Sequence, residues 1–284
     1  LPKPLVPVGD RSILEHALSL LSAAGITELS INVYHLAEQF AAVLARAAPN
    51  VHLVAESEIR GTAGGVAGAR AHLSNAPVLV WNGDILVAPP IDQLLVRCEP
   101  DSFCFGVAPR PLGEGTVGLD AEGNVVRLRG ERFGTEHRSG DYVGVLALGA
   151  DALAALPERG CLFGDAALPL LRAGGRVRSV AVTAPWTDAG DPPSLLNANL
   201  DWLAARQLDF FVAPGAQLAS GVELRQAVVG AGARVEGRGL LERCVVCPGA
   251  TAVAPLRDAI VAPSGRVMDA LRDTRDNQRA ATHD

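Results

Sequence analysis

Residues 78–85 read VLVWNGDI: four strand-forming side chains, then Asn82-Gly83 and a carboxylate at Asp84. A short continuous apolar run ended by a turn signal is the mark of a strand buried on both faces. An acid just past the carboxyl end of such a strand lies where open α/β sheets bind their ligands. Upstream, Leu29, Ile31 and Val33 alternate as another strand, 36–48 is helix-forming up to Pro49-Asn50, and 51–55 is again a strand. Ser12 and Glu15 form a capping box for a helix whose Ile13, Leu14, Ala17, Leu18 and Leu21 recur at helical spacing until Gly25. Gly61 to Gly65 read as a Gly-rich loop leading into a helix that runs to about Leu73. Strands alternating with helices on short connections predict an α/β fold of Rossmann type, a mostly parallel sheet with helices on both faces.

Downstream the texture changes. Residues 103–108, 116–119 and 125–128 read as strands of an antiparallel insertion, the last two joined by a turn at 120–124. Helical patterns return at 150–156 and at 166–173, the latter capped by Asp165, and 177–182 is a strand. Asp191 then caps a helix with Pro192 and Pro193 in its first turn that reaches about Gln207.

After Phe211 the period is neither 3.6 nor 2. Aliphatics open successive six-residue units at Val212, Leu218 and Leu224, then at Val229, Val235 and Leu241, with a third set from Val246 and a partial fourth at Val261. The restarts at 212, 229 and 246 are 17 residues apart, near three hexapeptides per coil, which predicts a short left-handed parallel β-helix. The expected organisation is therefore a domain over 1–207, a β-helix over 208–268, and a disordered tail over 269–284.

The 284 residues carry a net charge of −6, so nothing draws the chain generally to nucleic acid or to anionic lipid. No apolar run approaches the ~20 residues of a membrane span and no signal peptide is evident, which predicts a cytoplasmic protein. Five cysteines suit free thiols in a reducing compartment, and the Cys244/Cys247 pair has no His between 138 and 282 to help it hold zinc, so both are expected to be small core residues. Leu1 in place of Met predicts further sequence upstream.

Four places carry chemistry. Lys3, between Pro2 and Pro4, is the only lysine beside twenty-four arginines, and marks either a site needing a compact ammonium or a solvated terminus. Asp84 follows Gly83, which allows a ligand close to the backbone, although Asn-Gly-Asp is also plain turn punctuation. The glycines of 61–65 open a helix whose N–H groups and dipole would face an anion, or form an ordinary loop. Asp188, in PWTDAG at 185–190, completes with Asp84 a pair of hard carboxylates suited to Mg²⁺ alongside substrate phosphates, or else caps the next helix, a task for which Asp191 is better placed.

Taken in order, LPKPLVPVGDRSILEHAL (1–18), GTAGG (61–65), WNGDI (81–85) and WTDAGDPPSLLNAN (186–199) resemble the sugar-1-phosphate nucleotidyltransferases, and most closely the branch of bacterial mannose-1-phosphate guanylyltransferases and N-acetylmuramate-1-phosphate uridylyltransferases. The likeness runs through most of 1–207, and a β-helix after the catalytic domain is common in that family. It implies an enzyme joining a nucleoside triphosphate and a sugar 1-phosphate into an NDP-sugar, GDP-mannose or a UDP-sugar, with release of pyrophosphate. It implies that Lys3 contacts phosphate, that Asp84 and Asp188 hold Mg²⁺, and that Glu56, Gly61, Thr62, Ala63, Gly64, Gly65, Asn82 and Gly83 bind the nucleotide. Arg132, in Glu131-Arg132, stands where the family often places a sugar-phosphate lysine, and is alternatively a solvated arginine. The β-helix is expected to support homo-oligomer contacts or to bind an effector. The family's first strand and its Gly-rich phosphate loop would lie before Leu1. That, and Asp191 where the family usually has Thr, motivate a second reading as a non-catalytic nucleotide-sugar-binding regulatory subunit.

Overall fold

The computed structural model describes residues 1–271 except 35, 49 and 74–76. The chain divides into two compact units, one made of residues 1–16, 83–86 and 187–284, the other of 17–82 and 87–186.

In the second unit, Ser30–Val33 and His52–Ala55 pair in parallel, with Ser30 opposite His52. The main sheet of this unit is built around Arg138–Leu148, an eleven-residue strand absent from the sequence reading. It pairs antiparallel with Val78–Trp81, Phe103–Arg110 and Val117–Leu119, while Val177–Ala181 adds a parallel neighbour to Phe103–Arg110. The mixed α/β architecture with parallel ladders is as expected, and the insertion strands fall where they were read. Phe105, Val117, Leu128, Leu146, Leu148 and Val177 are buried together as its core. Among the described residues, Ser30–Val33 and Val78–Trp81 each have a strand partner on one side only.

Two local expectations need correction. The segment before Leu168–Arg172 is already wound, as a π-helical turn over Leu162–Ala167, so Asp165 is not its cap; its carboxylate instead accepts the N–H of Cys161 at 2.7 Å. Gly61 to Gly65 are not a loop: they form the first turns of the helix Gly61–Ala69, with Ala63, Gly64 and Gly65 buried. A Cβ at Gly64 would stand 2.4 Å from the Glu158 carbonyl oxygen, so the glycine serves a close backbone approach.

The insertion is tied by a non-local ion pair. Arg127 donates to both oxygens of Glu136 at 2.9 and 3.0 Å, Ser139 Oγ donates to the same carboxylate at 2.6 Å, and both charged side chains are almost wholly buried. The Arg127 guanidinium, ahead of the Ser139 hydroxyl, holds the Glu136 carboxyl down at about 2, against 4.5 for an ordinary glutamate. A depressed folded-state value stabilises above pH 4.5 and ceases to do so as pH falls toward 2. Glu136→Gln is therefore expected to be less stable by about 3 kcal/mol at pH 7, with the gap closing between pH 4.5 and 2, as thermal unfolding across that range would record. A gap independent of pH would contradict this account.

In the first unit, the capping box forms as read: Ser12 N–H donates to Glu15 Oε2 at 2.8 Å and Glu15 N–H to Ser12 Oγ at 3.3 Å, at the start of Ile13–Ala23. The C-terminal part is a parallel β-solenoid of about three turns. Val212, Val229, Val246 and Val261 stack in register, as do Leu218, Val235 and Ala252, and Leu224, Leu241 and Leu256. The repeat is 17 residues until a register shift between Gly237 and Leu241 shortens it to 15, which is why the last coil is degenerate in sequence. Gly215, Gly232 and Gly249 turn equivalent corners at positive φ, a conformation that a Cβ disfavours. Charges stack too, Glu242 binding Arg225 at 2.6 Å and Arg257 at 3.3 Å across the coils. Cys244 and Cys247 are core residues of the solenoid, their thiols pushed up to about 11 by burial. Asp269, expected in a tail, ends a strand, Val267–Asp269, paired with residues 259–261, and the Ala270 N–H donates to the Asp258 carbonyl at 2.8 Å; residues 272–284 of that expected tail lie outside the described residues.

Helix Pro192–Ala205 shares one core with the solenoid, Leu196 and Trp202 packing in the same cluster as Val245 and Ile260. Its buried Asn199 accepts the Gly9 N–H at 2.9 Å and donates to Pro7 O and Leu195 O, both at 3.0 Å, fastening the hairpin at Pro7–Val8 and Arg11–Ser12 to the helix. No helix among the described residues is long and apolar enough to cross a membrane.

Candidate functional site

The sequence LPKP winds as a single 3₁₀ turn, Lys3–Leu5, because Pro2 and Pro4 both favour its φ and the Leu5 N–H finds the Pro2 carbonyl at 2.9 Å. Lys3 leaves this turn toward Gly190. The point where a Cβ on Gly190 would sit is 3.3 Å from Lys3 Nζ and 2.8 Å from Asp188 Oδ1, so an ammonium and a carboxylate flank one backbone glycine, and a side chain there would displace both.

Asp188 closes the strand Trp186–Asp188, which pairs with Ile85–Val87 directly after Asp84. The Ala189 N–H donates to the Asp84 carbonyl at 3.0 Å, which brings the two acids' backbones side by side. Asp188 Oδ1 accepts the Gly190 N–H at 2.9 Å. Partial loss of water around the carboxyl, and then the charge of Asp84, raise Asp188 above the ordinary aspartate value; the Gly190 N–H and Lys3 oppose that rise. Among the described residues no group of three or more His, Cys, Asp and Glu is gathered as a closed metal cage; a pair of carboxylates suits a hard divalent cation only where phosphate and water complete its shell.

Gly83 lies close under the Lys3 turn. A Cβ on it would meet Pro4 Cγ at 2.8 Å, so the glycine lets the Lys3 turn pack against the segment that carries Asp84. Asp191 acts as the helix cap, its Oδ1 accepting the Ser194 N–H at 2.8 Å.

Lys3, Gly83, Asp84 and Asp188 thus belong to the first unit, and the remaining candidates to the second. There, Asn82 is held by its N–H to the Gly144 carbonyl at 2.9 Å. Gly61 and Thr62 are exposed at the start of their helix, where Thr62 Oγ1 accepts the Leu162 N–H at 3.0 Å and Ala63 N–H donates to the Gly160 carbonyl at 2.9 Å. Part of that helix terminus is therefore taken by the chain itself, which corrects the expectation of a free row of N–H groups. Glu56 is half-buried just past the strand His52–Ala55 and accepts a hydrogen bond from Asn32 Nδ2 at 3.0 Å, a partner 24 residues away that no local pattern singles out. Arg132 is 65% exposed and lies 3.4 Å from Glu136, while the neighbouring Glu131 is paired with Arg172.

Residues 1–205 match the family described as Nucleotidyl transferase. The chain is 27% identical to a glucose-1-phosphate thymidylyltransferase of Streptomyces griseus, over 86% of this chain and 78% of that protein. It is 26% identical to a mannose-1-phosphate guanylyltransferase of Mycobacterium tuberculosis, over 83% and 73% respectively. With an N-acetylmuramate alpha-1-phosphate uridylyltransferase of Caulobacter vibrioides it shares 30% identity over 69% and 86%. Among solved structures, HddC from Yersinia pseudotuberculosis complexed with GMP-PN has the same fold, with a TM-score of 0.60, 18% identity, and coverage of 71% of this chain and 90% of that one.

Proposed function

Because the chain belongs to the sugar-1-phosphate nucleotidyltransferase family, we propose that it transfers a nucleotidyl group from a nucleoside triphosphate to a sugar 1-phosphate, giving GDP-mannose or a UDP-sugar and pyrophosphate. The observation that carries this reading is the gathering of Lys3 and Asp188 beside Gly190, with Asp84 near enough for its charge to raise Asp188. A phosphate oxygen of the sugar, already anionic, attacks the α-phosphorus in line; that P–O bond forms, the bond to the β-phosphate oxygen breaks, and its electron pair leaves on pyrophosphate. Proton transfer is not required, so the protein's task is to position the two phosphates and to offset their charge. The Lys3 ammonium supplies one compact positive charge for phosphate. Asp84 and Asp188 hold a divalent cation, taken to be Mg²⁺, which when bound neutralises charge on the phosphate oxygens.

In this proposal Glu56, Gly61, Thr62, Asn82 and Gly83 serve the nucleotide, Ala63 to Gly65 shape the helix behind them, and Arg132 meets the sugar phosphate. Residues 1–207 are the catalytic segment, and the solenoid of 208–268 mediates self-association. The chain works in the cytoplasm, which agrees with its five free cysteines. The regulatory-subunit reading draws on the phosphate loop expected before Leu1 and on Asp191 as a surplus charge near phosphate; the Asp191 carboxylate caps a helix, while its charge still bears on Asp188. Pyrophosphate release by the protein, with triphosphates paired against mannose, glucose and N-acetylmuramate 1-phosphates, separates the two. Turnover with at least one pair is expected, whereas saturable NDP-sugar binding with no turnover would transfer the assignment to the regulatory reading.

A further inference from the structure

We infer that the second unit holds a separate binding site for a phosphorylated small molecule, in a cavity of about 710 Å³ where Arg97 and Arg138 supply the charge that an anion needs. The inference goes beyond the reading above: no residue assigned there to a substrate or to the metal lines this cavity.

The cavity is framed by helix Ile91–Arg97, strand Val177–Ala181 and the turn at 120–124. Three side chains fix that turn through its carbonyl groups. Arg97 Nη2 donates to Glu122 O at 2.6 Å, Arg138 Nη2 to Ala121 O at 2.6 Å and to Asp120 O at 3.2 Å, and Ser179 Oγ to Gly123 O at 2.7 Å. Gly123, at φ +87°, is where they converge: a Cβ there would stand 3.5 Å from Arg97 Nη2, from Arg138 Nη2 and from Ser179 Oγ. These bonds orient the two guanidinium groups without neutralising them, because a carbonyl carries no net charge. Among the described residues neither arginine has a carboxylate partner, whereas Arg127, Arg172 and Arg178 of the same unit are paired with Glu136, Glu131 and Glu99. Each of the two keeps its Nε–H and both N–H of Nη1, a planar fork of donors, for something else.

Two fixed positive charges around one point favour a dianion, and the fork geometry suits the oxygens of a phosphate ester. The space is larger than a bare phosphate fills, and Val96, Pro109, Leu119 and Val180 give it an apolar wall, so the ligand carries an organic body. Glu122 is the one acid in the lining, and it sets the limit on affinity. The position in the chain points to an effector. Helix Ile91–Arg97 follows the strand Ile85–Val87 next to Asp84, and strand Val177–Ala181 precedes Trp186–Asp188. A ligand that clasps this helix and this strand restrains the chain running to both acids, so occupancy is expected to change the rate of transfer; that last step alone rests on the transferase reading.

The test is titration calorimetry of the full chain with glucose 6-phosphate, AMP and inorganic phosphate, with divalent metal chelated, and hydrogen exchange to locate what binds. Glucose 6-phosphate or AMP is expected to bind at least about 10-fold tighter than inorganic phosphate and to protect residues 120–124. Arg97→Gln combined with Arg138→Gln should weaken that binding by about 10-fold or more, and Glu122→Gln should strengthen it about 3-fold. Val96 is 88% exposed, so Val96→Glu leaves the melting temperature unchanged and decides the matter even if the double variant loosens the turn. Its added charge should also weaken binding about 10-fold. Absence of binding by all three anions, protection only outside 120–124, or an affinity unchanged in Val96→Glu would overturn the site. Inorganic phosphate bound as tightly as the organic phosphates would overturn the class of ligand. The bound phosphate should change kcat or KM of transfer in the wild type and not in Val96→Glu, whose basal turnover is kept; binding with neither constant altered would overturn the effector role. A chain without any turnover would count against the transferase reading and leave the binding result to stand or fall by itself.

Discussion

Asp84→Asn and Asp188→Asn are each expected to lower the rate of pyrophosphate release by about 1000-fold or more, equivalent to roughly 4 kcal/mol of transition-state stabilisation. Asn keeps the shape of the side chain and removes the charge that attracts a cation. The same substitution relieves a repulsion: desolvation and the Asp84 charge both raise Asp188, so the native arrangement pays in stability for two acids held together. Each variant should therefore melt at or slightly above the wild-type temperature while losing activity, the pattern of a functional rather than a structural site. Near wild-type turnover in either variant would remove that residue from the site. A large drop in melting temperature would point to a structural role instead.

The second large effect concerns folding. Gly9→Ala is expected to destabilise the first unit by about 4 kcal/mol or more, or to prevent its folding, because both the backbone and the space are wrong for a side chain. Gly9 has φ +64°, and a Cβ there would lie 2.0 Å from Trp202 Cε2, inside the indole. The ring has no easy retreat: it is buried, packs edge-on against Phe211 at 5.3 Å between centroids, and carries the Arg206 guanidinium 4.2 Å above it. Moving Gly9 would also strain its bond to Asn199, which ties the hairpin to helix Pro192–Ala205 and, through the hairpin, steadies the turn that carries Lys3. Gly25→Ala is the control. It has a similar φ of +73° with nothing within 4 Å of the new atom, so its cost should be only about 1 kcal/mol, the backbone component alone. Equal melting temperatures for the two variants would contradict the packing argument.

Where the fold was legible in the sequence, the signal was local or repeated. The Ser12/Glu15 box and the Asp191 cap lie within three residues of their partners, and the solenoid announces itself through the 17-residue recurrence of Val212, Val229 and Val246. Arg138–Leu148 escaped because it has no alternation to detect: from Val143 to Leu148 every residue is buried, Gly140 and Gly144 imitate turn punctuation, and the register shifts between Tyr142 and Leu146. The glycines of 61–65 were read as a loop for the opposite reason. Their helix is stabilised by burial against residues 158–160, a contact about a hundred positions away that outweighs the poor helical propensity of glycine.

The same division holds at the site. Lys3, Asp84 and Asp188 stood out as an isolated lysine and as acids at strand ends, and the structure gathers them in one unit. Their surroundings were invisible. That Pro4 lies over Gly83, that Asn32 steadies Glu56, and that Asn199 anchors the hairpin depend on contacts across 24 to about 190 residues of chain, which no periodicity encodes.

The most direct test of the account is the stoichiometry of transfer by the protein supplied with Mg²⁺, a panel of nucleoside triphosphates including GTP and UTP, and a panel of sugar 1-phosphates including mannose 1-phosphate. With at least one pair, one NDP-sugar should form for each pyrophosphate released, and both should cease when the metal is chelated. Triphosphate hydrolysis without NDP-sugar, or no consumption of triphosphate with any sugar phosphate, would contradict the assignment of Lys3, Asp84 and Asp188 to nucleotidyl transfer.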